Sequence, residues 1–185
     1  MKKIISVLLC AVLLLSLVAC SGGKSSYPDA TTVMNKVWES FDEDKTFAAI
    51  GGDMGNPVDN KPGEFNISKA EDVDGTLTFP AAQIGEITEA ASLMHMMNAN
   101  TFTGACFRLK DGADIKKLAE AYKENAMNKQ WICGIPETLV ILNVGNTYLL
   151  TAYGAKDIVD TFRQEALDEL EDCKVLVEEE FSAAW

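Results

Sequence analysis

The sequence predicts an α+β domain: a small mixed sheet on a β-α-β-β-α core, helices packed on one face, preceded by an N-terminal helix and an irregular loop. Three observations predict it. Residues 101–110 alternate, with Ala105, Phe107 and Leu109 on one face and Cys106, Arg108 and Lys110 on the other, the period of a half-buried strand. Apolar, β-branched and aromatic runs at 138–143 and 147–153 flank Gly145-Asn146, a hairpin signature. Ile158, Phe162, Ala166 and Leu170 recur four apart, the stripe of an amphipathic helix.

Taken in order, the chain opens with Met1-Lys2-Lys3, an apolar run from Ile4 to Leu17, and Val18-Ala19-Cys20. A short positive region, an apolar core and a small residue before the cut form a secretory signal. The core is shorter than the roughly twenty apolar residues that span a bilayer. Leu17-Val18-Ala19-Cys20 matches the bacterial lipobox. The Cys20 thiol is the expected nucleophile for a diacylglyceryl group, and Ala19 leaves room for cleavage between Ala19 and Cys20. Residues 1–19 are thus expected to be a lipoprotein signal peptide and 20–28 a lipidated tether, holding a single α+β domain over 29–173 outside the cytoplasm. Two acyl chains suffice for stable anchoring, at about 0.8 kcal/mol per buried methylene.

In the domain, Val33, Val37 and Phe41, with Met34 and Trp38 beside them, mark a first helix capped by Asp29. From Asp42 to Pro80, Gly51-Gly52, Gly55-Asn56-Pro57, Asp59-Asn60 and Pro62-Gly63 follow in close succession. That segment reads as mostly irregular, with a short extended piece over 76–79 at a sheet edge. Residues 81–97 are ambiguous: Ile84, Ile87, Ala91 and Met94 suit a helix, while Gly85 weakens it. After the 101–110 strand, Asp111-Gly112 is expected to turn the chain and cap a helix carrying Ile115, Leu118 and Tyr122. A strand–helix–strand unit returns its second strand parallel to the first, which is what makes the expected sheet mixed. Residues 174–185 read as an acidic tail.

Composition narrows the partners. Removing nineteen residues from 185 leaves 166, enough for one domain. The mature chain carries 14 Lys and Arg against 28 Asp and Glu, a formal charge of −14. Such a surface repels nucleic acid and argues against the domain lying flat on anionic lipid. Cys106, Cys133 and Cys173 show no CxxC and no even count, so the spacing supports neither a zinc site nor a disulfide framework. One disulfide with an orphan thiol, or three free thiols, both remain open.

Leu93-Met94-His95-Met96-Met97-Asn98, a strand, Lys110-Asp111-Gly112, an amphipathic helix and a hairpin resemble a family of small lipoproteins from Gram-positive anaerobic bacteria, a domain of unknown function. The resemblance covers roughly residues 92–170 and the signal. It implies a location and a fold, and transfers no catalytic residue.

Several constellations invite chemistry. Met94, His95 and Met96 are the ligand candidates, since thioether and imidazole suit copper(I); the simpler reading packs Met94 and Met97 in the core with His95 outward. Setting Ala70–Ala81 on an EF-hand loop places Asp72, Asp74 and Gly75 correctly but Ala70 and Ala81 at the end positions, so the bidentate glutamate is missing. The 53–64 stretch has carboxylates at both ends and Gly55, Pro57 and Val58 between them. With one histidine and no GxSxG in the mature chain, nucleophilic catalysis has no visible base. Cys133, in a bend between helix and strand, reads as a packing residue. The expectation is a membrane-anchored, non-catalytic envelope domain, without cofactor, that binds a protein, peptide or wall component. The alternatives are a hydrolase using paired carboxylates and a receptor for a small ligand or metal ion.

Overall fold

The computed structural model describes residues 25–97, 101–132 and 134–181. In chain order they form α1 (Ala30–Glu39), β1 (Ala49–Asp53), β2 (Asn56–Asp59), β3 (Gly63–Glu64), α2 (Ala70–Leu77), β4 (Ile87–His95), β5 (Phe102–Leu109), α3 (Ile115–Asn128), β6 (Thr138–Val144), β7 (Tyr148–Gly154), α4 (Lys156–Glu169) and β8 (Cys173–Glu180). Short 3₁₀ turns lie at Glu43–Lys45 and Ala81–Glu86. The α+β class predicted from sequence holds.

The strands make one sheet in the order β2-β1-β4-β5-β7-β6-β8, with β3 paired to β4 off this path. Every pairing is antiparallel, which corrects the expected mixed sheet. The physical reason is an insertion. Both β5 and β6 are antiparallel to β7, so β5–α3–β6 does return the chain in a parallel sense. It lands one strand too far out, and the hairpin then folds β7 back into the gap.

Helices cover both faces, not one. On one face Val33, Met34 and Val37 of α1 and Val159, Phe162 and Ala166 of α4 pack on Leu93, Cys106, Leu142 and Leu150. On the other, Val73 and Leu77 of α2 and Leu118 and Tyr122 of α3 pack on Phe107, Ile141 and Leu149. A strand buried on both faces reads as an unbroken apolar run, and Leu139-Val140-Ile141-Leu142 is buried throughout. Burying each large side chain contributes about 1.5–3 kcal/mol.

Local signals explain the element ends. The Asp29 carboxylate accepts from Thr32 N–H at 2.6 Å and caps α1, as predicted. The α3 cap is Asp114, which accepts from Lys116 and Lys117 N–H at 3.1 Å each, and not the Asp111-Gly112 pair, which only turns the chain. Gly145 and Asn146 both have positive φ, 54° and 52°, the conformation a tight hairpin turn needs. Thr147 N–H closes that turn on Val144 O at 3.1 Å.

Two further expectations are corrected, and one ambiguity is resolved. The 42–80 segment is not irregular: it holds β1, β2, β3 and α2, and residues 76–79 end a helix instead of forming an edge strand. The 81–97 segment, ambiguous in sequence, is a 3₁₀ turn and then β4, where Thr88 and Gly85 disfavour a helix. The acidic tail is an edge strand through Glu180, with Val177 its one buried residue. The strand path ends at β2, carrying exposed Pro57, and at β8, carrying exposed Glu178, Glu179 and Glu180.

Candidate functional site

The segment between α1 and β4 builds a cleft. β1 leaves β4 after Gly51, whose partner is Leu93, and β3 takes over, Gly63 opposite Ser92. The exchange brings two backbones together so closely that a Cβ on Gly51 would strike Gly63 N and Lys61 O. Only glycine permits that approach. Ser92 Oγ donates to Gly52 O at 2.9 Å where the β1–β2 hairpin peels away.

Asp53 then ties the hairpin tip to the strand that replaces it. One carboxylate oxygen accepts from Gly55 N–H at 2.6 Å and Asn56 N–H at 3.0 Å, the other from Asn66 N–H at 3.0 Å. These donors, Asn66 foremost, hold its pKa below the ordinary 3.8 because they favour the charged form.

The third wall is α2, whose C-terminal carbonyls would lack partners within their own helix. Lys129 Nζ donates to Asp74 O and Gly75 O at 3.0 and 2.9 Å. Tyr153 Oη donates to Thr76 O at 3.1 Å, Tyr122 Oη to Leu77 O at 2.7 Å and Asn125 Nδ2 to Thr78 O at 2.9 Å. Burial lowers the Lys129 pKa while Asp74 opposes the shift. Thr78 sits at φ 63°, a strained conformation for a β-branched residue, held by hydroxyl contacts to Tyr153 Oη and Lys129 Nζ.

The resulting cleft has a volume of about 340 Å³, at the lower end for small-ligand sites. Phe65, Met54 and Met94 give it apolar walls; Asn66, Ser68 and Thr76 are polar; Asp53, Lys69 and Asp72 are charged. Asp53, Phe65 and Asn66 also line a second concavity that runs toward Glu64 and Glu89.

The residues singled out by sequence fall in different places. Ala19, Cys20, the signal and Cys133 lie outside the described residues. Met94 lines the cleft. Its neighbour His95 points to the opposite sheet face, since strand side chains alternate. There it stacks on Phe47 at 4.7 Å, and Nδ1 accepts from Met97 N–H at 2.9 Å. Met96 and Met97 lie past the strand end and are exposed, so the structure does not bring Met94 and His95 together as one ligand set. Among the described residues no group of three or more His, Cys, Asp or Glu is placed to hold a metal ion.

The calcium-like stretches are likewise committed elsewhere. Residues 70–77 are helical, and Asp74 accepts from Asn125 Nδ2 at 2.8 Å. Cys106 and Cys173 are free. They lie on β5 and β8, three strands apart, about 14 Å at 4.8 Å per strand, beyond the roughly 7 Å Cα limit for a disulfide. Burial raises both thiol pKa values, that of Cys173 to about 12.

Sequence reasoning missed Phe65, Asn66 and Thr76 as site residues and weighed Asp53 only as one end of a calcium-like stretch. The available signal was the succession of turn formers, which marks tight connections between short strands as readily as an irregular loop. Among the described residues no helix is long and apolar enough to cross a membrane. No known protein family, no curated protein and no solved structure matches the chain.

Proposed function

We propose that this protein is a lipid-anchored, extracytoplasmic binding module of the bacterial envelope, held by Cys20, without catalytic activity. Its cleft takes a peptide segment or wall fragment that presents an apolar group beside a cationic one. The observation that carries the reading is the cleft itself, built by the 42–80 segment against Met94. Phe65, Met54 and Met94 suit an apolar group, and Asp53 suits a neighbouring positive charge, Asp72 being paired with Lys69 at 3.9 Å. Three backbone donors engage Asp53 and keep it ionised, which suits it to a cationic ligand and unsuits it as the general acid of a carboxylate pair. The lipobox at Leu17–Cys20 supports the anchor.

Thermal-shift measurements on the mature domain test the cleft, using muropeptides and short peptides with Lys or Arg beside an apolar residue. A ligand at a hundredfold excess over its Kd stabilises by about 2.7 kcal/mol, and Met94→Glu should abolish the shift without unfolding the domain. A panel that gives no shift, or one that Met94→Glu leaves intact, refutes the cleft as the binding site. Mass spectrometry of the native amino terminus tests the anchor, and an unmodified thiol at position 20 refutes it.

A further inference from the structure

The chain leaves the folded body at one end of the sheet, and that exit is fixed. Ser25 N–H donates to Thr147 Oγ1 at 3.1 Å, and Ser25 lies directly on the Gly145-Asn146 turn, its Cα 2.9 Å from where a Gly145 Cβ would be. Tyr148 Oη donates to Tyr27 O at 2.8 Å, and Tyr27 Oη accepts from Glu171 N–H at 3.0 Å. Arg108 Nη1 donates to Pro28 O at 2.7 Å and pairs with Glu89 at 3.0 Å. From Cys20 to Ser25 there are five residue steps, which reach at most about 18 Å. A lipid on Cys20 would therefore hold the turn end of the sheet within that distance of the bilayer.

Exposed Lys110, Lys116, Lys117 and Lys174 lie on the loops and first turns at this end, among Asp29, Glu86, Asp111, Asp114, Glu171 and Asp172. Gly145 N–H bonds Asp172 O, Leu109 N–H bonds Thr147 O and Lys110 N–H bonds Glu86 O, which draws these loops together. These lysines offset part of the acidic charge at this end, while the mature chain as a whole carries −14. Glu178, Glu179 and Glu180 occupy the opposite end, where Glu180 pairs with Thr138.

We infer that the sheet end bearing the Gly145-Asn146 turn is a membrane-facing surface that meets phospholipid headgroups, so that the opposite end, with Glu178–Glu180 and exposed Met96, Met97 and Ile135, is presented outward. The inference rests on the anchoring reading above. The bilayer is the occupant because the exit is pinned, the remaining chain is short, and exposed lysines at this end offset part of the repulsion between an acidic domain and anionic lipid.

Position-specific fluorescence tests it. A fluorescent residue is placed at Lys116, in the first turn of α3 at the tether end, or at Lys156, in the first turn of α4 at the far end. Each protein is studied in two forms on phosphatidylcholine–phosphatidylglycerol vesicles containing headgroup spin-labelled lipid. One form is the mature lipoprotein from its native host; the other begins at Ser21 behind an amino-terminal hexahistidine bound to nickel-chelating lipid. Quenching several-fold stronger at position 116 than at position 156 in the chelated form is the expected result. Equal quenching there, or stronger quenching at 156, overturns the orientation whatever the state of Cys20. If the chelated form gives the expected asymmetry but the native form does not associate with vesicles, the anchoring reading fails and the surface assignment stands.

Discussion

The Tyr122 hydroxyl donates a 2.7 Å hydrogen bond to the Leu77 carbonyl, joining the middle of α3 to the end of α2 across the buried face of the sheet. The same hydroxyl accepts from Thr151 Oγ1 on β7 at 3.1 Å, so one oxygen couples three elements. Burial raises the Tyr122 pKa well above its usual value, and the group stays a neutral donor.

Tyr122→Phe leaves the Leu77 carbonyl and the Thr151 hydroxyl without that partner in a dry interior. The expected cost is about 1–3 kcal/mol. A urea titration should show a lower midpoint with unchanged slope. A variant as stable as the parent would mean that α2 is held by its apolar contacts alone.

Gly63→Ala and Gly75→Ala should move stability in opposite directions. A Cβ at position 63 would lie 2.7 Å from Gly52 N and from Val58 Cγ2, and overpacking of this kind costs about 1–3 kcal/mol. A Cβ at position 75 meets nothing within 4 Å. Within α2, alanine there should stabilise by roughly 0.5–1 kcal/mol. Denaturant midpoints of the two variants decide whether the strand exchange, and with it the cleft, depends on the missing side chain.

Asp53 predicts a pH signature. Its folded pKa lies below the ordinary 3.8, so the stabilisation it confers is complete above that value and is lost as pH falls through the lower folded value. Asp53→Asn should therefore be less stable than the parent at neutral pH, and the difference should shrink as the solution is acidified below about pH 4. Unfolding measured across that range checks the convergence; a constant gap would show that the carboxylate charge plays no part in holding the hairpin.

Cys106 and Cys173 should resist alkylation in the native state and react after unfolding, because the thiolate is the reactive form and burial raises both pKa values. Peptide mapping after a timed iodoacetamide pulse reads each site. The same shifts predict that stability declines as pH rises above the ordinary 9.0 toward about 12, since the unfolded chain ionises first. Native labelling of Cys173 at the rate of a free thiol would contradict its packing.

The carboxy-terminal half was legible because its periods are long and clean: Phe107 and Leu109 alternate, Phe162 and Ala166 recur, and Gly145-Asn146 can do little but turn. The one-faced arrangement was misread because Leu139–Leu142 alone cannot say whether one helix layer or two cover it. The cleft was hidden for a different reason. β3 is two residues long, and its pairing depends on atoms that Gly51 and Gly63 lack, so no side-chain pattern records it. Met94 was noticed for its sulfur within a mixed helix-like pattern, whereas its place in the cleft comes from the strand that carries it.

Pro57 and the Glu178–Glu180 run have a consequence at the level of many copies. Under the proposed anchoring, chains confined to a two-dimensional sheet of lipid would meet one another far more often than chains free in solution, and an open strand edge invites lateral addition of another. On one flank Pro57 has no N–H to offer; on the other, facing glutamates would repel. Under that anchoring, these two edges would disfavour strand-to-strand pairing between neighbouring copies and leave the cleft of each one open.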